Sequence, residues 1–182
     1  MKPAELPIVL PSMRELLYGW PEIDAALDRM AEAMNRDMAG ERPVYMTILT
    51  GGLLIAGCLA PRLSLDLVFD YAHATRYRGA TEGGTLHWIA RPRTNLKDRV
   101  VIIVDDILDE GNTLEELRRY CFDEGAREVR IAVLALKKHD RRLPGIHADY
   151  VGLEVPDRYV FGFGMDYREL GRNLPGIYAL ME

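Results

Sequence analysis

The chain has 182 residues, 48% hydrophobic and 28% charged, with a formal net charge of −5. That composition supports one well-buried core and argues against disorder, and the acidic balance argues against broad, non-specific nucleic-acid binding. Cys58 and Cys121 form neither a metal-type pair nor a secreted-type framework, and no apolar run is long enough for a membrane span.

The N-terminal stretch MKPAELPIVLPSM, with three prolines, does not read as a signal peptide. A cytoplasmic, single-domain protein spanning residues 1–182 is expected, with no membrane or nucleic-acid partner. Residues 21–38 place Ile23, Leu27, Met30, Met34 and Met38 at helical spacing, with Pro21 in the first turn. The Met stripe reads as core packing, and residues 1–40 as an N-terminal helical segment.

VYMTILT (44–50) and LDLVFD (65–70) read as strands, separated by the helix-compatible GGLLIAGCLA. Residues 71–84 lose all periodicity and hold three glycines and two arginines, which marks a functional or disordered loop. TLHWIA predicts a short strand and Val100 to Val104 a buried one. From Thr113 a helix is expected, with Leu114, Leu117 and Cys121 on one face and Gly125 as its stop. VRIAVLAL (129–136) predicts another buried strand. This alternation predicts an α/β fold with a mostly parallel open sheet and helices on both faces, residues 41–148 forming the core. YVGLEV, RYVFGFG and GIYAL, within residues 149–182, predict a small C-terminal hood over one sheet edge.

The informative stretch is VVIIVDDILDEGNT, residues 100–113. In an open parallel sheet, ligands bind beyond the carboxyl ends of the strands, where Asp105 and Asp106 would be delivered. Carboxylates there accept sugar hydroxyls or hold Mg²⁺, while the N–H groups of the following helix and the Thr113 hydroxyl cradle a phosphate. A phosphorylated sugar satisfies both halves. Solvated loop acids or helix caps would give the same pair alone, and so would the acidic pocket of a receiver domain. Its place past mid-chain counts against the receiver. As exposed strand-end carboxylates, the two acids should contribute little to folding.

The whole arrangement of apolar strand, two acids, two aliphatics, Asp109, Gly111 and Thr113 resembles the phosphoribosyl-pyrophosphate signature of type I phosphoribosyltransferases. Residues 149–180 resemble the purine-binding hood of the hypoxanthine-guanine type, with Met165-Asp166-Tyr167 followed by Arg172 before Asn173-Leu174-Pro175. The resemblance covers roughly residues 44–180. It implies that Asp105 and Asp106 bind the ribose hydroxyls, directly or through Mg²⁺, and that Asp109 manages a proton on the imidazole side of the purine. Glu110, Gly111, Asn112 and Thr113 would hold the 5′-phosphate. Leu49, Thr50, Gly51 and Gly52 would form the pyrophosphate loop, with a cis peptide before Thr50. Tyr159 would stack on the purine, the Val160 backbone and Met165 would line its site, Asp166 would bind a second Mg²⁺, and Arg172 would meet pyrophosphate. Lys137 would donate to the purine 6-oxygen, although Lys138 fits almost as well, and KKHDRR can equally be a solvated strand exit.

Three positions depart from the pattern. Thr50 stands where relatives carry a cation, Glu110 where a small hydroxyl residue is common, and Arg76-Tyr77 where the lid carries Ser-Tyr. Residues 71–84 would form that lid, and Arg76 would supply the charge missing at Thr50. The four histidines, His73, His87, His139 and His147, show no ligand spacing and read as surface or lid positions. Trp20 and Trp88 read as packing. The resemblance thus implies a Mg²⁺-dependent enzyme for hypoxanthine or guanine, or a non-catalytic sensor of phosphoribosyl pyrophosphate or nucleotides on the same fold. It also implies a homo-oligomer, dimer or tetramer, because these pyrophosphate loops often lie near a subunit interface.

Overall fold

Helix α1 (Trp20–Asp37) buries Ile23, Leu27, Met30 and Met34 in a computed structural model that describes residues 14–76 and 86–181. Its start is satisfied locally: the Glu22 carboxylate accepts the Gly19 N–H at 2.9 Å, and Pro21 sits where a missing N–H costs nothing. The Met stripe is core, as its spacing predicts.

Strands β2 (Val44–Leu49), β3 (Val68–Arg76), β4 (Leu86–Ala90), β5 (Val100–Leu108), β6 (Glu128–Lys137) and β7 (Tyr150–Val155) form one sheet in the order β4-β3-β2-β5-β6-β7. The pairings are parallel apart from that of β3 with β4. Alternation along β5 assigns its two faces. Val100, Ile102 and Val104 pack with α1 and α2 (Leu53–Leu59), whereas Val101 and Ile103 pack with Leu114, Leu117 and Cys121 of α3 (Asn112–Asp123). Helices therefore cover both faces. The chain steps one way from β2 to β3 and the other way through β5, β6 and β7, so the sheet reverses direction between β2 and β5. Their carboxyl ends flank the switch point where such sheets bind ligands.

Two expectations need correction, and a third falls on residues outside the description. Residues 71–76 are strand, because β3 pairs with β2 as far as His73 and with β4 from His73 to Arg76, and this backbone pairing outweighs the absent alternation. Residues 77–85, and with them Tyr77 and the rest of the expected lid, lie outside the described residues. Tyr150–Val155 belongs to the large sheet, parallel to β6, and not to the hood. The small sheet instead joins the chain ends: β1 (Arg14–Tyr18) pairs antiparallel with β9 (Ile177–Leu180), which pairs with β8 (Val160–Phe161). Phe163, Met165, Ile177 and Ala179 pack this hood onto the α1 side of the core.

Candidate active site

β2 stops pairing with β5 at Thr47↔Val104, while β6 follows β5 on to Leu108. β5 therefore runs through the acid pair with one edge released, and the strand is longer than the apolar run predicts. The β2–α2 turn folds over that free edge, with a cis peptide between Leu49 and Thr50. Gly51 then lies so close to Asp106 that an added Cβ would come within 2.2 Å of Oδ2. Gly164 of the hood closes in from above, where a Cβ would meet the Gly51 carbonyl at 2.4 Å.

Asp106 is consequently buried, at 8% exposure, and Asp105 half-buried. The expectation of exposed strand-end carboxylates is wrong for this pair. Burial pushes both carboxyls above the usual range, Asp105 well above, where the charge of Asp106 adds to the effect. Arg172 opposes the shift from 3.8 Å. Its guanidinium also bonds the Gly164 carbonyl at 2.5 Å and Asp166 Oδ1 at 2.7 Å. The other Asp166 oxygen accepts the Glu169 N–H at 2.8 Å, so both of its oxygens are engaged.

Beyond Leu108 the chain turns through Asp109, Glu110 and Gly111 into α3. Gly111 adopts φ +87°, the left-handed region, and a Cβ there would strike Ile146 at 2.7 Å. The first N–H groups of α3 have no partner within the helix, which makes this turn suited to an anion. Asn112 Nδ2 donates to the Glu110 carboxylate at 3.0 Å, drawing that charge toward the helix's first residue.

Asp109 is held by two donors. Lys137 Nζ bonds Oδ2 and His139 Nε2 bonds Oδ1, each at 2.6 Å. Burial would raise the Asp109 carboxyl, but these hydrogen bonds outweigh it and hold the carboxyl below its ordinary value. Lys138 points the other way and pairs with Glu154 at 2.5 Å, as strand alternation requires, so Lys137 is the lysine at the site. His139 is the residue the sequence reading placed wrongly: its side chain is only 2% exposed. Its parity with Lys137, two residues on, was the available signal.

An open cavity of about 560 Å³ gathers these groups at the switch point. Its floor is Thr50, Gly51, Asp105 and Asp106. One wall is Asp109, Glu110, Gly111, Asn112, Thr113 and Lys137, and the other is Tyr159, Val160, Met165, Asp166 and Arg172. His73 and Ala74 of β3 complete the lining, a contribution the sequence reading missed by taking them for loop. The exposed Tyr159 ring is fixed by its hydroxyl, which donates to the Asp166 carbonyl at 3.0 Å. Arg76 ends β3, and Tyr77 lies outside the described residues.

Among the described residues, no three histidine, cysteine or acidic side chains are grouped to hold a metal by themselves. The carboxylates of Asp105 and Asp106 are hard oxygen donors, the kind that suits Mg²⁺ when substrate oxygens and water complete its shell. Among the described residues no helix is long and apolar enough to cross a membrane.

A cavity of carboxylates, a helix start and an aromatic side chain at the switch point of this sheet is consistent with a phosphoribosyl-transferring class, and the chain belongs to the phosphoribosyl transferase domain family, matched over residues 14–169. It is 33% identical over 172 residues to the hypoxanthine-guanine phosphoribosyltransferase of Streptococcus mutans, covering 94% of this chain and 95% of the relative. The crystal structure of a Staphylococcus aureus hypoxanthine phosphoribosyltransferase superimposes with a TM-score of 0.87 at 30% identity, over 93% of this chain and 92% of that one. The Trypanosoma cruzi hypoxanthine phosphoribosyltransferase in complex with the product IMP gives 0.87 at 26% identity, over 94% and 97% of the two chains.

Proposed function

We propose that this enzyme transfers the phosphoribosyl group of phosphoribosyl pyrophosphate to hypoxanthine or guanine, giving IMP or GMP and pyrophosphate in purine salvage. The observation that carries the reading is the contact between Lys137 and Asp109 at the cavity wall. It sets a cationic donor beside a carboxylate acceptor, the complement of a 6-oxo purine, whose 6-oxygen accepts beside a ring nitrogen that donates. The lysine ammonium has three hydrogens, so it can serve Asp109 and the base together. The identity of the relatives supports the same base class.

On this reading Asp109 accepts the proton that the imidazole side of the purine loses, and its depressed pKa keeps it ionised for that task. Tyr159 stacks on the base, with Val160 and Met165 beside it. Glu110 to Thr113 hold the 5′-phosphate, chiefly through backbone N–H groups at the start of α3. Thr50, Gly51 and Arg172 receive pyrophosphate, whose charge grows as the anomeric bond breaks. Asp105 and Asp106 bind the ribose hydroxyls and would hold Mg²⁺. Asp166 would join a second Mg²⁺ once Arg172 turns from it to the pyrophosphate. The ion, when bound, neutralises charge developing on the leaving group. Arg76 would lend the cation that Thr50 lacks. The substrates are small molecules, and the active form is a homo-oligomer, dimer or tetramer, in the cytoplasm.

Chromatography of a reaction with guanine, phosphoribosyl pyrophosphate and Mg²⁺ tests the reading, with GMP and equimolar pyrophosphate expected. Tight binding of phosphoribosyl pyrophosphate without product would favour the sensor, the alternative that Thr50 keeps in play.

A further inference from the structure

We propose that His139 is a positioning residue for Asp109, fixing the carboxylate in one plane so that its remaining lone pairs face the base. The inference rests on the proton-accepting role proposed for Asp109. His139 Nδ1 accepts the backbone N–H of Arg141 at 3.0 Å. An amide N–H can only donate, so Nδ1 carries a lone pair and the ring proton is on Nε2. Nε2 lies 2.6 Å from Asp109 Oδ1 and therefore donates to it, while Lys137 holds Oδ2 at the same distance.

Two donors from alternate positions of one segment thus grip both carboxylate oxygens. Each oxygen keeps a lone pair, and the Asp109 side chain is 41% exposed, toward the cavity it lines. The donor is itself held from the hood. Arg141, whose N–H selects the His139 tautomer, forms a two-bond ion pair with Asp157 at 2.7 Å for each bond. Asp157 stands two residues before Tyr159, so one connected set of contacts runs from the purine platform to the proton acceptor. The charged groups around the acceptor are Lys137 and Arg141 on the β6 side, Asp157 in the hood and Glu110 in its own turn.

His139→Leu keeps the bulk and removes the donor, whereas His139→Gln restores an N–H near the Nε2 position. With Leu, kcat should fall on the order of tenfold, the strength of a hydrogen bond to a charged group, and KM for phosphoribosyl pyrophosphate should not move. The acid limb of the pH–kcat profile should shift upward, because a donor that favoured ionised Asp109 has gone. Gln should recover most of kcat and return the limb. Equal losses in Leu and Gln, or an unmoved limb in Leu, would overturn the proposal. Nitrogen-15 spectra of the His139 ring in the unmodified protein and in Asp109→Ala give a second readout that needs neither turnover nor a His139 variant. A proton on Nε2 whose shift responds to Asp109→Ala supports the contact; a proton on Nδ1, or no response, refutes it. Because the ring signal does not depend on activity, failure of the proposed reaction in the unmodified protein is separable from failure of the positioning role.

Discussion

Gly51 and Asp106 occupy neighbouring space so tightly that no side chain fits between them: a Cβ on the glycine would sit 2.2 Å from one carboxylate oxygen and 2.9 Å from the other. Gly51→Ala should therefore displace the carboxylate, backed as it is by Gly164 and β5. Overpacking of this kind costs about 1–3 kcal/mol, and the thermal midpoint should fall accordingly. The affinity for phosphoribosyl pyrophosphate should fall with it. Crystals or calorimetry showing Asp106 unmoved and affinity intact would mean that the turn is looser than the contact implies.

The acid pair predicts an unusual pH dependence of stability. Carboxyls whose folded pKa values are raised above about 3.9 bind protons more tightly when folded. Their contribution is present in acid and is lost as pH rises through the folded values. Asp109 and Asp70, with lowered pKa values, act oppositely: their contribution is present above their unfolded values and lost as pH falls. In chelator, Asp105→Asn should thus be more stable than the unmodified protein at pH 8 and gain less at pH 5. Adding Mg²⁺ with phosphoribosyl pyrophosphate should raise the midpoint of the unmodified protein more at pH 8 than at pH 5. Thermal scans of both proteins check this, and an Asp105→Asn variant destabilised at pH 8 would contradict it.

Adjacent lysines should behave differently because they leave the strand on opposite faces. Lys137→Met removes the donor proposed to face the 6-position and should erode discrimination against adenine, sparing affinity for phosphoribosyl pyrophosphate. Lys138→Met only breaks a pair with Glu154 that is more than half exposed, and should leave both base choice and stability nearly unchanged. Kinetics with each base give the comparison.

Arg172 joins the hood to the floor, bonding Asp166 at 2.7 Å and lying 3.8 Å from Asp106. Arg172→Met should weaken phosphoribosyl pyrophosphate binding about tenfold to a hundredfold, the scale of a charge-assisted hydrogen bond. Asp106, stripped of its nearest cation, should titrate still higher. Unchanged affinity by calorimetry would remove Arg172 from the site.

The site was largely legible because its chemistry is local. An apolar run ending in Asp105, Asp106 and Asp109, then Gly111 and Thr113, states strand, turn and helix start in sequence order. Gly51 was legible from its place after a strand, although not its reason, which is the Asp106 carboxylate 55 positions on. What stayed hidden depends on pairing partners distant in the chain. Asp105 to Leu108 remain strand because β6 continues beside them, and Tyr71 to Arg76 because β2 and β4 flank them. β1 joins the hood through β9, some 160 residues away by the register Arg14↔Leu180. His139 looked like part of a solvated exit because five charged neighbours surround it in sequence, and only the fold turns its ring inward.

The base choice of the unmodified protein tests the central claim most directly. An ammonium at the 6-position can donate but not accept, so a 6-oxo purine satisfies it and a 6-amino purine leaves it facing another donor. An unpaired buried polar group costs about 1–3 kcal/mol, which sets a preference of roughly tenfold to a hundredfold or more. A spectrophotometric assay with phosphoribosyl pyrophosphate and Mg²⁺ should show rapid conversion of hypoxanthine and very poor use of adenine. Adenine turned over as fast as hypoxanthine, or no turnover of either, would contradict the account.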